Sequence, residues 1–134
     1  MIVLDCSAII EILRNTEDGK SFQALMHKDE KVITCDLALA EVSSVLRELV
    51  RKGEIDRHEA AIYYQNAVSL PDQIVPLADL QPEALYESIR LDHSVYDVSY
   101  FVLARRTAGA LFTLDMKLVD LCLHNGVSYA CPLD

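Results

Sequence analysis

Short apolar segments alternate with longer segments of helical periodicity along the whole chain. The first apolar segment, Met1–Leu4, predicts a strand, and Ser7–Arg14 after it carries apolar residues at the spacing of a helix. Four further strands are predicted where apolar and β-branched residues cluster, at Lys31–Thr34, Gln73–Leu77, Ala110–Thr113 and Val127–Tyr129. Further helices are predicted at Lys20–Lys28, Leu37–Arg51, Arg57–Leu70, Glu83–Leu91, Val98–Arg105 and Met116–Asn125.

This order of elements predicts the fold class. No two strands are separated by the two-residue turn of a hairpin, so the five strands are expected to run parallel. A parallel sheet is covered on both faces, which predicts an α/β fold with a five-stranded parallel sheet sandwiched between helices. The segment Val98–Arg105 is apolar around most of its circumference and is expected to be the central helix. With 134 residues, no linker and no internal repeat, one domain covering residues 1–134 is expected.

Composition and charge narrow the classes of function. The chain is 51% hydrophobic and 25% charged with only 4 Gly and 4 Pro, which excludes a disordered or fibrous protein. Its net charge of −9 is not the basic footprint of a nucleic-acid binder, so we expect no DNA binding by this chain alone. Neither a bilayer-spanning run nor a signal sequence is evident, so we expect a cytoplasmic protein without membrane association. The four cysteines lack C-x-x-C spacing and are expected to be buried thiols.

Four acidic residues occupy positions where an open parallel sheet places its functional crevice. Asp5 follows the first strand directly and Asp115 lies two residues after the fourth, so both face the carboxyl edge of the sheet. Asp97 stands at the start of the central helix, and Glu41 lies at the margin of the apolar face of Leu37–Arg51. Converging carboxylates repel one another, so the cluster either binds protons or holds a hard cation. Mg²⁺ or Mn²⁺ held there can activate water and neutralise a phosphate, which points to phosphodiester hydrolysis.

Each acid also has a purely structural interpretation. Asp36 and Asp97 both suit the N-cap position of the helix that follows. Glu41 equally suits a solvated helix edge, and Ser7 suits either an N-cap or a hydroxyl beside Asp5. Only the combination of these residues indicates a site.

Four segments resemble, in order and in spacing, the motifs of PIN-domain nucleases. Leu4–Ala8 resembles their opening D-x-S/T-A, and Asp36–Val42 resembles their L-x-x-x-E-V helix. Tyr96–Ala104 resembles Y-D-A-x-Y-L-A-L-A, with Val98–Ser99 where the family commonly has a small residue followed by a variable one. Thr113–Leu118 resembles T-x-D-x-x-L. The resemblance covers nearly the whole chain, and its size and charge suit the VapC-type toxins of toxin–antitoxin pairs.

The resemblance implies a Mg²⁺- or Mn²⁺-dependent endoribonuclease made of one PIN domain. It also implies a cognate antitoxin protein as partner and, usually, a homodimer. The catalytic acids that it implies are Asp5, Glu41, Asp97 and Asp115, with Ser7 and Thr113 as supporting hydroxyls. Of these acids, Asp5, Asp97 and Asp115 are expected to bind the metal directly. Glu41 is expected to be a further ligand or the base for a metal-bound water.

An RNA substrate would be repelled by the net charge of −9 unless cations intervene. Bound metal and a local basic rim are expected to supply them. Lys117, in the turn that begins at Asp115, and Arg47 are the predicted RNA contacts. Other basic residues considered for this rim are Arg51, Lys52, Arg105 and Arg106.

Two other functions are compatible with parts of the pattern. An aspartyl-phosphate receiver or phosphatase also places Asp at a strand end, but Cys6 and Ser7 stand where those proteins carry their second acid. The other possibility is a catalytically silent PIN-like binding module. The first helix is more apolar than one core-facing stripe requires, and an apolar patch left exposed there would suit a protein partner. The residues concerned are Ile9, Ile10, Ile12 and Leu13.

Overall fold

The computed structural model describes residues 1–132, which contain a five-stranded sheet. Its strands are β1 (Ile2–Leu4), β2 (Val32–Cys35), β3 (Gln73–Val75), β4 (Ala110–Phe112) and β5 (Tyr129–Ala130). The helices are α1 (Cys6–Arg14), α2 (Glu17–Ala24), α3 (Leu37–Arg51), α4 (Arg57–Ser69), α5 (Glu83–Leu91), α6 (Val95–Thr107) and α7 (Met116–His124), with a 3₁₀ turn at Leu77–Leu80. All strand pairs are parallel, in the order β3, β2, β1, β4, β5. The predicted α/β fold with a five-stranded parallel sheet is confirmed.

The core is built around β1 and α6. All three residues of β1 are buried, as expected for the middle strand of a sheet that is covered on both faces. Residues 98–104 of α6 are buried without interruption, and the helix packs against β1, β2 and β4, which confirms it as the central helix. Helices α1 and α3 pack against β1 and β2. Within residues 1–132, no helix has the length and hydropathy of a membrane-spanning segment.

Several predicted boundaries shift because local caps were not recognised. Helix α2 begins at Glu17 instead of Lys20, since the Thr16 hydroxyl accepts a hydrogen bond from the Gly19 amide at 3.1 Å. Helix α6 begins at Val95, since the Ser94 hydroxyl accepts from the Tyr96 amide at 3.2 Å. Asp97 therefore lies inside the first turn of α6, and its interpretation as an N-cap is wrong. Strand β3 ends two residues early, at Val75, and β5 shifts to Tyr129–Ala130.

Asp36 also does not cap the helix that follows it. It precedes α3, but its backbone is already helical and its carboxylate accepts no hydrogen bond from the first turn. Its Oδ1 instead accepts from the Leu77 amide at 2.8 Å, and its own amide donates to the Val75 carbonyl at 3.1 Å. Asp36 therefore ties the end of β2 to the end of the neighbouring strand β3.

The cysteines are unpaired, as expected. Cys35 and Cys122 are buried, whereas Cys6 and Cys131 are only half-buried. Burial raises the pKa of the Cys35 and Cys122 thiols to about 11, so both stay protonated and behave as small apolar side chains.

Candidate active site

A pocket of about 270 Å³ lies where the chain leaves the carboxyl ends of β1 and β4. These two strands are neighbours and parallel, so the loops that follow them meet at one edge of the sheet. The four predicted acids all line this pocket, hereafter the acidic pocket. Its remaining lining residues are Cys6, Ser7, Ile10, Glu11, Val45 and Tyr100. The structure thus brings Asp5, Glu41, Asp97 and Asp115 together.

Asp5 is the most enclosed of the four acids, with only 4% of its surface exposed. It is the N-cap of α1, and its Oδ1 accepts from the Ala8 amide at 2.9 Å and from the Ser7 hydroxyl at 2.6 Å. Its Oδ2 accepts from the Thr113 hydroxyl. Burial, together with the negative charge of Glu41, raises the pKa of Asp5 to about 6, although its three hydrogen bonds act in the opposite direction.

The hydroxyls of Ser7 and Thr113 also hold the loop after β4. The Ser7 Oγ accepts from the Leu114 amide at 2.9 Å, and the Thr113 Oγ1 accepts from the Asp115 amide at 2.9 Å. Each hydroxyl donates its own hydrogen to Asp5. Two chains of hydrogen bonds therefore lead from the loop after β4 to the Asp5 carboxylate. These contacts fix the position of Asp5 relative to the loop that carries Asp115.

Tyr100 is a pocket residue that the sequence did not single out. It lies on α6, one turn after Asp97, and is buried among core side chains. Its hydroxyl donates to the Glu41 Oε1 at 2.5 Å and so fixes the side chain of Glu41. Burial and the charges of Asp97 and Asp115 raise the pKa of Glu41, against the effect of this hydrogen bond. The position of Tyr100, three residues after Asp97, could have indicated that it lines the pocket, because residues three apart on a helix share a face.

Asp97 and Asp115 form the more open side of the acidic pocket. Burial and the negative charge of Asp115 raise the pKa of Asp97, while His93 and Lys117 act to lower it. Asp115 is the N-cap of α7, and its Oδ1 accepts from the Lys117 amide at 2.9 Å. Its second oxygen accepts no hydrogen bond within the described part of the chain.

The acids fit a hard divalent cation by their chemistry. Within residues 1–132, no three His, Cys, Asp or Glu side chains stand close enough together to chelate an ion as they are now placed. Mg²⁺, however, keeps several water molecules and is usually held by only one or two carboxylates. The donors here are all carboxylate oxygens, which suit Mg²⁺ and Mn²⁺ and not the softer metals. Burial and, to a smaller extent, repulsion between the acids raise the pKa values of Glu41 and Asp97, and such an ion would relieve that repulsion.

The predicted basic rim is only partly placed at the site. Lys117 is exposed and lies next to Asp97. Arg47 is exposed on α3, has Glu48 as an ion-pair partner at 3.5 Å, and does not line the acidic pocket. Of the other basic residues considered, Arg105 and Arg106 form ion pairs with acids of α5, which leaves them less available to a phosphate.

The apolar excess of α1 does not form a surface. Ile9, Ile10 and Ile12 are buried in the core of the described structure, which leaves no exposed apolar patch there for a protein partner. Large exposed apolar side chains occur instead on α4, on α5 and at the start of α6. They include Ile62, Val68, Leu85, Tyr86, Ile89 and Tyr96.

Known proteins are similar to this chain over nearly its whole length. The family model of the PIN domain matches residues 2–122. Ribonuclease VapC12 of Mycobacterium tuberculosis is 31% identical over 125 residues, which are 93% of this chain and 95% of that protein.

Two solved structures share the fold. One is Mycobacterium tuberculosis VapC20, described as a sarcin-ricin loop cleaving toxin, with a TM-score of 0.67 at 20% identity over 90% of this chain and 95% of that one. The other is VapBC2 from Rickettsia felis bound to a promoter DNA fragment, with a TM-score of 0.66 at 12% identity over 99% and 100% of the two chains. Together with the match of nearly the whole chain to the family model, these likenesses show that the protein belongs to the PIN domain family, in which its relatives are VapC ribonucleases.

Proposed function

We propose that this protein is a Mg²⁺- or Mn²⁺-dependent endoribonuclease and the toxin of a toxin–antitoxin pair. The observation that carries the proposal is the convergence of four carboxylates from four separate segments in one pocket at the carboxyl edge of the sheet. Ribonuclease activity is the function named for its 31% identical relative VapC12. The substrate would be RNA and the reaction the hydrolysis of a phosphodiester bond.

In this proposal Asp5, Asp97 and Asp115 hold the metal. Asp5 is already oriented by three hydrogen bonds, so little conformational freedom is lost when its carboxylate takes a ligand. Asp97 and Asp115 are the more exposed pair and can adjust their side chains around an ion. When bound, Mg²⁺ or Mn²⁺ would lower the pKa of water and neutralise charge on the phosphate.

Glu41 is suited to take a proton from the attacking water. Tyr100 donates to its Oε1, so the carboxylate is held while Oε2 has no partner among the described residues. Burial and the neighbouring acids raise the pKa of Glu41 towards the range in which a carboxylate accepts protons effectively near neutral pH. Tyr100 acts through Glu41 and is a positioning residue.

The partners follow from the same proposal. The Rickettsia felis neighbour is described as a VapBC2 assembly, which supports a separate antitoxin chain as partner here. We propose that the protein works in the cytoplasm as a homodimer. An arginine of the antitoxin would be a suitable inhibitor, because a guanidinium pairs bidentately with carboxylates and would compete with the metal. Lys117, at the edge of the site, is the residue best placed to contact RNA. Arg47, which does not line the acidic pocket, would contact nucleotides farther along the RNA.

An aspartyl-phosphate mechanism is less compatible with the site. Cys6 and Ser7 stand where receivers and phosphatases of that kind carry their second acid. A silent binding module gains no specific support, since the four acids of the predicted quartet are all present in one pocket.

Replacing Asp5 by Asn tests the proposal. We expect the purified wild type to cleave single-stranded RNA in Mg²⁺ or Mn²⁺ and to be silenced by EDTA. Asp5→Asn should lose at least about 10³-fold of this activity, the scale seen when a central catalytic group is removed. Asp29→Asn, an exposed acid in the turn before β2, is the matched control and should retain activity. Cleavage by Asp5→Asn at the wild-type rate, with a wild-type melting curve, would contradict the assignment.

A further inference from the structure

A second and larger cavity, of about 560 Å³, adjoins the acidic pocket. Asp97 lines both pockets, so the two are direct neighbours. The second cavity, hereafter the flanking pocket, lies between the segment that joins α5 to α6 and the outer side of α7. It is lined by Leu91, Asp92, His93, Ser94, Asp97, Lys117, Asp120, Leu121, His124 and Asn125. Its volume is within the range of small-molecule sites.

The polar groups of α7 in this pocket have hydrogen-bonding capacity left for a ligand. The His124 Nδ1 lies 2.7 Å from the Asp120 carbonyl oxygen, which can only accept, so Nδ1 carries the hydrogen. In the neutral ring, Nε2 then remains as an acceptor. The Asn125 side chain donates through Nδ2 to the Leu121 carbonyl at 2.8 Å, which leaves its Oδ1 as an acceptor.

His93 supplies an independent observation that points to a ligand. Its Nδ1 is buried and has no hydrogen-bond partner, and it is the one buried side-chain nitrogen or oxygen of residues 1–132 in that condition. The nearest carboxylate oxygen, Oδ2 of Asp97, is 3.9 Å away, which is beyond hydrogen-bond distance. Buried polar atoms without a partner are rare, so this nitrogen leaves one hydrogen bond unmade in the wall of the flanking pocket.

The charge of the flanking pocket selects the kind of ligand. The pocket is lined by three acidic residues, Asp92, Asp97 and Asp120, and by one lysine, Lys117. A phosphate group would be repelled here, whereas a neutral ring with both donors and acceptors would not. The apolar side chains of Leu91 and Leu121 offer surface to the faces of such a ring. A nucleobase has this combination of properties, and bases of single-stranded RNA are recognised in this way.

We propose that the flanking pocket binds one unpaired nucleobase of the RNA, next to the phosphate that is cleaved. The inference rests on the proposed ribonuclease function, because the scissile phosphate is what occupies the acidic pocket. The shared wall at Asp97 places the neighbouring nucleotide in the flanking pocket. A base bound there must be unpaired and unstacked, so the pocket restricts the substrate to single-stranded RNA and selects the sequence at one position.

Binding of nucleosides tests the pocket without any cleavage. Adenosine, cytidine, guanosine and uridine, each without phosphate, are titrated to millimolar concentration into ¹⁵N-labelled full-length wild type, with inorganic phosphate as a parallel titration. We expect at least one nucleoside to shift the amide resonances of residues 91–94 and 117–125, and phosphate to leave them unchanged. If none of the four shifts them, or if phosphate shifts them and the nucleosides do not, the proposal is wrong.

Sequence preference in cleavage tests the role of the pocket. A single-stranded RNA with randomised bases is cut by the wild type, by His124→Ala and by the control His58→Ala, and the ends are sequenced. His58 is an exposed histidine on α4. We expect a base preference at one position beside the cut in the wild type and in the control. His124→Ala should reduce this preference about tenfold and raise KM, because the variant lacks the ring nitrogen that accepts from the base.

The outcomes distinguish the two proposals. Should His124→Ala melt early, His124→Gln, which keeps a polar side chain of similar reach, replaces it in the same assay. An unchanged preference in a folded variant overturns the base-binding role while leaving the ribonuclease in place. Absence of metal-dependent cleavage in the wild type overturns the proposed function, and the nucleoside titration then still decides whether the pocket binds a base.

Discussion

Asp5 shows how one residue can serve both the fold and the site. As the N-cap of α1, it accepts a hydrogen bond from a backbone amide in the first turn of the helix. As a buried carboxylate at the carboxyl edge of the sheet, it also accepts hydrogen bonds from the hydroxyls of Ser7 and Thr113. Burial raises its pKa to about 6, above its ordinary value of 3.8, so in the absence of a cation the ionised form costs stability as the pH rises through that interval. Above that interval the folded protein carries a negative charge at Asp5 that destabilises it, and a bound cation would relieve this cost.

Removing the Tyr100 hydroxyl should impair catalysis more than folding. Tyr100→Phe keeps the buried ring and deletes only the donor that fixes Glu41. We expect kcat to fall about 10- to 100-fold, the usual effect of losing a group that orients a site carboxylate, with KM little changed. Steady-state cleavage of a short RNA in Mg²⁺ measures both constants.

The matched control for that variant is Tyr64→Phe, at an exposed position on α4. It should leave kcat and KM unchanged. If Tyr100→Phe keeps the wild-type kcat while remaining folded, the hydrogen bond to Glu41 does not contribute to the reaction.

At the scale of elements, α5 is attached to α6 by a network of ion pairs. Glu87 accepts from Arg90 at 2.7 Å and from Arg105 at 2.6 Å, and Glu83 accepts from Arg106 at 3.0 Å. Arg105 also lies over the ring of Phe101, 5.1 Å from its centroid. The network attaches the first two turns of α5 to the last turn of α6.

The hydrogen bonds from Arg90 and Arg105 lower the pKa of Glu87 from 4.5 to about 2. A lowered pKa means that the unfolded chain binds the proton more readily, so the stabilisation is complete above pH 4.5 and is lost as the pH falls towards 2. Glu87→Gln should therefore lower the free energy of unfolding by about 1 kcal/mol at pH 7, the upper range for an accessible ion pair. Urea denaturation at pH 7 and at pH 3 measures it.

The difference between Glu87→Gln and wild type should shrink at pH 3. Glu54→Gln is the control, because Glu54 is exposed and has no ion-pair partner among residues 1–132. A constant difference at both pH values would mean that Glu87 contributes through packing and not through its charge.

Some helices and strands could be predicted from the sequence and others could not, because local and distant contacts set their boundaries. Strands β1 and β2 and helix α6 were predictable because buried elements give long apolar runs in the sequence. The start of α2 was not, because its boundary is set by one threonine hydroxyl. Asp36 was misassigned because its partner, the amide of Leu77, is 41 residues away, and a cap is the local alternative that a sequence suggests.

The convergence of the four acids could also be predicted from the sequence, whereas two other features of the pockets could not. Asp5, Glu41, Asp97 and Asp115 lie on motifs with fixed local spacing, and the parallel topology brings their segments together. The bond between Tyr100 and Glu41 joins residues 59 apart, and the isolation of the His93 Nδ1 is a property of packing. Neither has a local pattern in the sequence.

For the whole molecule, part of the net charge of −9 comes from four acids that lie together in one pocket. A divalent ion there would offset part of that charge at the place where a phosphate must approach. RNA binding should therefore depend on the ion, since a phosphate is otherwise repelled over about 8 Å at physiological salt.

Chelation should weaken RNA binding at least about tenfold at constant ionic strength, because the loss of a divalent cation restores the local repulsion. Fluorescence anisotropy with a labelled single-stranded RNA, in Ca²⁺ and then in excess EDTA, measures the change. Equal affinity in the two conditions would show that the acidic pocket does not use a cation to receive the phosphate.

The most direct test of the account is to locate a divalent ion. Crystals of the protein grown with Mn²⁺ should give an anomalous difference peak in the acidic pocket, bound by carboxylate oxygens of Asp5, Asp97 or Asp115, and crystals of Asp5→Asn should lose it. An empty acidic pocket in wild-type crystals at saturating Mn²⁺, or a peak that persists unchanged in Asp5→Asn, would contradict the claim that these acids form a metal-dependent nuclease site.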